Sequence, residues 1–244
     1  MERKSKFIKG IYNYCDRWCE RCFVTEKCRL YANLKDEGML DKDVDMQTIL
    51  KQVKNNYALI AKMIDKGTKK FGIDLNSIDE NAESIYLYTD EEVDNHELSI
   101  ISRQYYKDLD KWFENAGDKI MENPEEAIAP EVLEDSDASF EVIKDAFEVI
   151  RYYMFQIHVK IKRALSGMEK NPDPEMSDYP DDATGSAHVA LTGIEHSIAA
   201  WETFKKSLLV FEIEAIKNIN CLLELKQKID IIFPGAKNFK SMYV

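Results

Sequence analysis

Four of the chain's five cysteines fall in one stretch, YCDRWCERCFVTEKC, residues 14–28, with the spacing Cys15-x3-Cys19-x2-Cys22-x5-Cys28. Thiolates are soft, anionic donors. Four of them complete the ligand set of a structural zinc ion, with Zn–S near ~2.3 Å. They equally complete the set of a [4Fe–4S] cluster. On an α-helix, positions i, i+4 and i+7 fall within roughly a 60° arc, so the spacing predicts Cys15, Cys19 and Cys22 on one helical face. The intervening FVTEK is long enough to turn back and bring Cys28 alongside. A helix plus a returning turn suits a compact, closed site, which favours Zn2+ as the cofactor and leaves [4Fe–4S] as the alternative. Arg17, Arg21, Lys27 and Arg29 surround the donors in sequence and would stabilise an anionic metal site.

The triplet Cys15-x3-Cys19-x2-Cys22 also resembles, in bare spacing, the cluster motif of radical S-adenosylmethionine enzymes. That family places an aromatic residue before the third cysteine, and here the residue is Arg21. It also implies a barrel of alternating strands and helices, whereas this chain reads as helix after helix. Three ligands would leave one iron open to substrate, a position that Cys28 can fill. The phrase YCDRWCERC is similar to the N-terminus of a group of uncharacterised bacterial proteins. That resemblance spans about fifteen residues and implies a recurring module, with no activity to carry over. Trp18, Tyr12, Tyr14 and Phe23 flank the donors and are expected to pack the metal knuckle against the rest of the chain. Cys221, between apolar neighbours, reads as a buried thiol.

Helical proteins also hold metals between facing helices. The Glu-x-x-His pairing of dimetal carboxylate proteins fails at His96, His158, His188 and His196, where Val93, Phe155, Gly185 and Gly193 stand three residues earlier. The zinc-protease His-Glu-x-x-His is absent as well. A looser second metal site remains: His188 and Glu195 share a helix face, and His158 borders the apolar stripe of another helix. Glu92 and His96 are four apart at the start of a third. Separation of these faces would leave His96 and His196 in solvent and His158 as a satisfied boundary residue. No nucleophile motif or glycine-rich phosphate loop is present, so the sequence offers no catalytic residue and no cofactor-binding loop beyond metal ligands.

The elements that must position these residues are helical. Only 9 Gly and 6 Pro interrupt 244 residues, which favours long elements. Apolar residues at three- and four-residue steps predict a helix from about Asp45 to Phe71, carrying Ile49, Val53, Tyr57, Ile60, Ile64 and Phe71. FGIDLNSIDENAESIYLYTD follows, mostly as loop with room for short extended pieces. A second helix starts at an N-cap on Thr89 or Asp90 and runs to about Ala116. A loop with Pro124 and Pro130 leads to a third, Asp137 to Leu165, with the stripe Phe140, Ile143, Phe147, Ile150, Met154, Ile157, Ile161 and Leu165. The polar connector GMEKNPDPEMSDYPDDATG lacks the ligand alternation of a calcium loop and reads as solvated. Two further helices share Asp182 to Phe233, with a break near residues 207–211. Ala187, Leu191, Ile194, Ile198, Trp201 and Leu208 stripe the first. Ile213, Ile216, Ile219, Leu223, Lys226 and Ile229 stripe the second.

The expected fold is therefore all-α, an up-and-down bundle of about five long helices over residues 37–244, with a cysteine-rich metal-binding segment at 1–36. Net charge is −12, and residues 1–30 carry a formal +4, leaving −16 elsewhere. This balance argues against nucleic-acid and membrane partners and allows the basic end to dock on the acidic body or on an acidic protein partner. No secretory signal and no ~18-residue apolar span is visible, so the expected compartment is the cytoplasm, where thiols stay reduced. The functional expectation is a non-catalytic, metal-binding interaction or regulatory module. A metalloprotein with iron–sulfur at the N-terminus or a His/carboxylate site in the bundle is the alternative.

Overall fold

A computed structural model describes residues 6–40, 45–72, 74, 84–117, 136–170, 181–208 and 211–239. Among them the chain is helical, with seven α-helices: α1 Arg29–Asp36, α2 Met46–Phe71, α3 Asp90–Asn95, α4 Glu97–Trp112, α5 Ser136–Ser166, α6 Asp182–Ser207 and α7 Glu212–Ile232. Contacts divide the described residues into two units. One takes residues 6–12 and those of 17–84, and the other takes 13–16 and those of 85–239.

In the first unit, two short 3-10 turns, Cys19–Arg21 and Thr25–Lys27, precede α1. The Ile8 N–H donates to the Lys27 carbonyl at 3.0 Å, which holds the entering segment against the second turn. Helix α2 begins where Asp45 caps it, its carboxylate accepting the Thr48 N–H at 3.0 Å. It stops at Gly72, whose φ of 66° is the left-handed geometry that ends helices without steric penalty. Its apolar residues are exposed rather than buried.

In the second unit, α4 to α7 pack in a cycle, α4 on α5, α5 on α6, α6 on α7, and α7 back on α4. Side-chain pairs show each neighbour running antiparallel. Ser102 meets His158 while Phe113 meets Phe147. Arg163 meets Asp182 while Tyr153 meets His196. Glu97 meets Lys228 while Asp108 meets Lys217. The core is the predicted stripe of α5, with Ile143, Phe147, Ile150, Ile157, Ile161 and Leu165 buried, facing Leu98, Leu109, Ile194 and Trp201. Trp112 gathers Trp201, Phe204 and Phe211 edge-on at 5.6–6.1 Å and closes one end.

Three sequence expectations change. The second helix does not run unbroken from Thr89. The Thr89–Glu92 capping box forms as expected, but His96 adopts extended backbone (φ −65°, ψ 141°) and restarts the helix by accepting the Leu98 N–H on Nδ1. The stripe of α7 holds only in part. Ile219 and Ile229 are buried as expected, together with Ala215, Asn218, Leu222 and Leu225, whereas Ile213, Ile216 and Leu223 are exposed. Asn218 can be buried because it satisfies its amide on its own helix by donating to the Glu214 carbonyl. The third change concerns the cysteines, below. The break between α6 and α7 falls where expected, with the Leu208 N–H donating to the Phe204 carbonyl at 2.8 Å. The extended piece before α3 is a single antiparallel bridge between Tyr86 and Glu169. The loop of Pro124 and Pro130 and most of the polar connector lie outside the described residues.

Candidate metal centre

Residues 13–16 are held by the four-helix unit. The Asp16 carbonyl accepts the Tyr152 hydroxyl at 2.8 Å and the Gln156 side-chain amide. The Asp16 carboxylate accepts the Tyr153 hydroxyl at 2.5 Å. The Tyr14 ring meets Phe239 edge-on at 5.0 Å and lies over Gly185, where an added Cβ would sit 2.4 Å from Tyr14 Cδ1. Partial burial and then the nearby Asp182 push the Tyr14 phenol pKa up. Cys15 is flanked on both sides by these anchors.

Directly after Asp16, Arg17 takes φ 67°, and the Cys19 N–H donates to the Arg17 carbonyl at 2.9 Å across Trp18. This tight turn corrects the expected single helical face for Cys15, Cys19 and Cys22. An α-helix through Asp16 would use its carbonyl internally, and here Tyr152 and Gln156 take it. Cys19 instead opens a 3-10 turn that ends on Cys22, whose N–H donates to the Cys19 carbonyl at 3.2 Å. Cys19 and Cys22 thus stand at the two ends of one short turn. Cys28 closes a second such turn, its N–H on the Thr25 carbonyl at 3.0 Å, and leads into α1. All four cysteines are half-buried. Arg21 stacks over the Trp18 ring with its guanidinium 4.0 Å from the centroid, and Arg29 lies over Phe7 at 5.1 Å. Tyr14 packs as expected, whereas Phe23 does not, being 97% exposed.

The second-site residues each have a separate partner. His158 Nδ1 is 2.9 Å from the Ser102 hydroxyl between α4 and α5. His188 Nδ1 is 2.9 Å from the Ala236 carbonyl beyond α7. Glu195 pairs with Lys226 at 2.8 Å. Glu92 is taken by the Thr89 capping box, and His96 by the Leu98 N–H. His196 is exposed and stacks on Tyr153 at 5.5 Å. Among the described residues, no group of three or more His, Cys, Asp or Glu side chains is arranged to hold a metal ion. The donor chemistry of the cysteine segment fits a soft divalent metal, since four sulfur donors lie close in sequence and are partly reachable by solvent. Cys221, expected to be buried, is half-buried like the other four, and desolvation pushes its thiol pKa up to about 11.

Sequence reasoning missed the Asp16 anchor, whose donors lie more than 130 residues away. Comparison with family models, curated proteins and solved structures gives no match for this chain. No helix among the described residues is long and apolar enough to cross a membrane.

Proposed function

We propose that this is a non-catalytic metal-binding protein in which Cys15, Cys19, Cys22 and Cys28 hold Zn2+ and an up-and-down helical bundle acts as an interaction or regulatory module in the cytoplasm. The observation that supports this reading best is the 3-10 turn that joins Cys19 to Cys22 through the Cys22 N–H on the Cys19 carbonyl. Two thiolates at the ends of one short turn form a nucleus for chelation. Cys28, fixed by an equivalent turn, is the third donor, and Cys15 the fourth. Bound zinc would cross-link a segment with no core of its own and couple metal affinity to its folding. Arg21 and Lys27 would offset part of the negative charge of a four-thiolate site.

Metal analysis of the purified chain and of a variant with the four cysteines changed to serine tests this. About one zinc per chain in a colourless protein, lost in the variant, is the expected result. A brown protein with broad visible absorbance would assign the segment to iron–sulfur chemistry. Metal retained by the variant would move the site to His158, His188 and Glu195.

A further inference from the structure

Helix α2 is 26 residues long, Met46–Phe71, and its apolar side chains face solvent. Leu50 is 60% exposed, Tyr57 71% and Phe71 69%, with Met46, Val53, Ile60 and Ile64 also exposed. These residues are not scattered. Met46, Leu50, Val53, Tyr57, Ile60, Ile64, Gly67 and Phe71 alternate steps of four and three without a break. This is the 3.5-residue repeat of a coiled-coil seam, held over nearly four heptads. Ile49 and Met63 border this seam, and Leu59 lies behind it.

The occupant can be read from charge and side-chain size. Lys51, Lys54, Lys62, Lys66, Lys69 and Lys70 against Asp65 give the helix a formal +5. Placed at 100° per residue, Lys51, Lys62, Lys66 and Lys69 lie on the side away from the seam, and only Lys54 and Lys70 flank it. A flat anionic lipid surface or an acidic groove would be met by cations along the rim of the apolar face, and these are centred behind it. The lysines therefore form a solvated outer face, and the seam itself is nearly uncharged.

We propose that α2 pairs with α2 of a second copy of this chain, antiparallel and about a two-fold axis near Ala58–Leu59. This pairing matches large residues with small ones. Phe71 lies opposite Met46 of the other copy, Gly67 opposite Leu50, Ile64 opposite Val53, and Ile60 opposite Tyr57. Gly67 supplies the space that Leu50 needs, since nothing lies within 4 Å of a Cβ placed there. A parallel pair would instead set Gly67 against Gly67 and leave a void. Along the flanks, Lys54 meets Ala61 and Lys70 meets Ile49, so no two lysines face each other. The macrodipoles also oppose favourably, and the contact is isologous and self-limiting.

Sedimentation velocity of the full chain at micromolar concentrations tests this, with amine cross-linking of mixed light and heavy isotopic copies. A dimer is expected, with inter-copy links Lys54–Lys62 and Lys51–Lys66. Leu50→Asp combined with Ile64→Asp should weaken it more than about a hundredfold. Because that variant could also unwind α2, Gly67→Leu supplies an independent arm: it favours the helix but crowds Leu50 of the other copy, and it should weaken the dimer about tenfold. A monomeric wild type overturns the proposal, whether or not it floats with anionic vesicles. So does a dimer that the double variant leaves intact, a Gly67→Leu dimer no weaker than wild type, or inter-copy links confined to Lys51–Lys51 and Lys54–Lys54.

Discussion

Tyr153 donates its hydroxyl to the Asp16 carboxylate at 2.5 Å while its ring stacks on His196 at 5.5 Å. One buried side chain thus joins the segment before Arg17 to the interface between α5 and α6. Tyr153→Phe keeps the ring and removes the hydroxyl. It should lower the unfolding free energy by about 1.5–3 kcal/mol, the range for a hydrogen bond to a charged group. Urea denaturation measures the total, and hydrogen exchange at residues 13–16 should accelerate in the same variant. An unchanged exchange rate there would mean that Tyr152 and Gln156 suffice to hold Asp16.

Two helical glycines should respond to alanine with opposite signs. Alanine exceeds glycine in helix propensity by roughly 1 kcal/mol. At Gly67 that gain is unopposed, because nothing lies within 4 Å, so Gly67→Ala should raise stability. At Gly185 the new Cβ would fall 2.4 Å from Tyr14 Cδ1 and 2.5 Å from Cε1. The ring must move, and overpacking of this kind costs about 1–3 kcal/mol. Gly185→Ala should therefore lower Tm, and a shift of the same sign in both variants would refute the assignment.

The sequence made most of the helical unit legible because its signals are local. Asp45, Thr89 and Asp181 each cap the helix that follows, and the α5 stripe is buried as its period requires. What it concealed was non-local. The i, i+4, i+7 spacing of Cys15, Cys19 and Cys22 suits an α-helix, but distant side chains occupy the Asp16 carbonyl and the turn at Arg17 takes its place. The apolar stripe of α2 was visible, yet a periodic pattern does not state whether a core or another copy will cover it. In α7 apolar residues occur on two faces, and the sequence pattern does not tell which of them meets the neighbouring helices: Leu222 and Leu225 are buried, Ile213 and Leu223 exposed.

Metal removal should act locally. The Cys19–Arg21 and Thr25–Lys27 turns each contain three residues and no buried side chain, so the cysteine segment has little packing of its own to fall back on. A zinc chelator should open it to protease near residues 17–28. Far-UV helicity should change little, since α4 to α7 bury their own core. Unaltered protease resistance after complete metal removal would show that zinc does not organise this segment.

Stability should fall as pH drops below neutrality, through His158. This side chain is buried beside Ser102. Desolvation first, then Lys162 and Arg103, lower its pKa, with Asp94 opposing and Lys107 adding to the effect. Above pH ~6.5 the imidazole is neutral in both folded and unfolded chains, and pH has no effect through it. As pH falls through that value the unfolded chain takes up a proton that the folded chain resists. Folding weakens until the lowered folded pKa is reached. His96, also lowered by burial, contributes with the same sign. Asp45, Glu92 and Asp94 have lowered pKa values from hydrogen bonds to Thr48, Thr89 and Lys162 respectively, and they act only in the more acidic window near pH ~4 and below. Urea midpoints measured from pH ~7 to ~5 should therefore decline, and His158→Gln, which does not titrate there, should flatten the decline. A wild-type profile that His158→Gln leaves unchanged would assign the proton to another group.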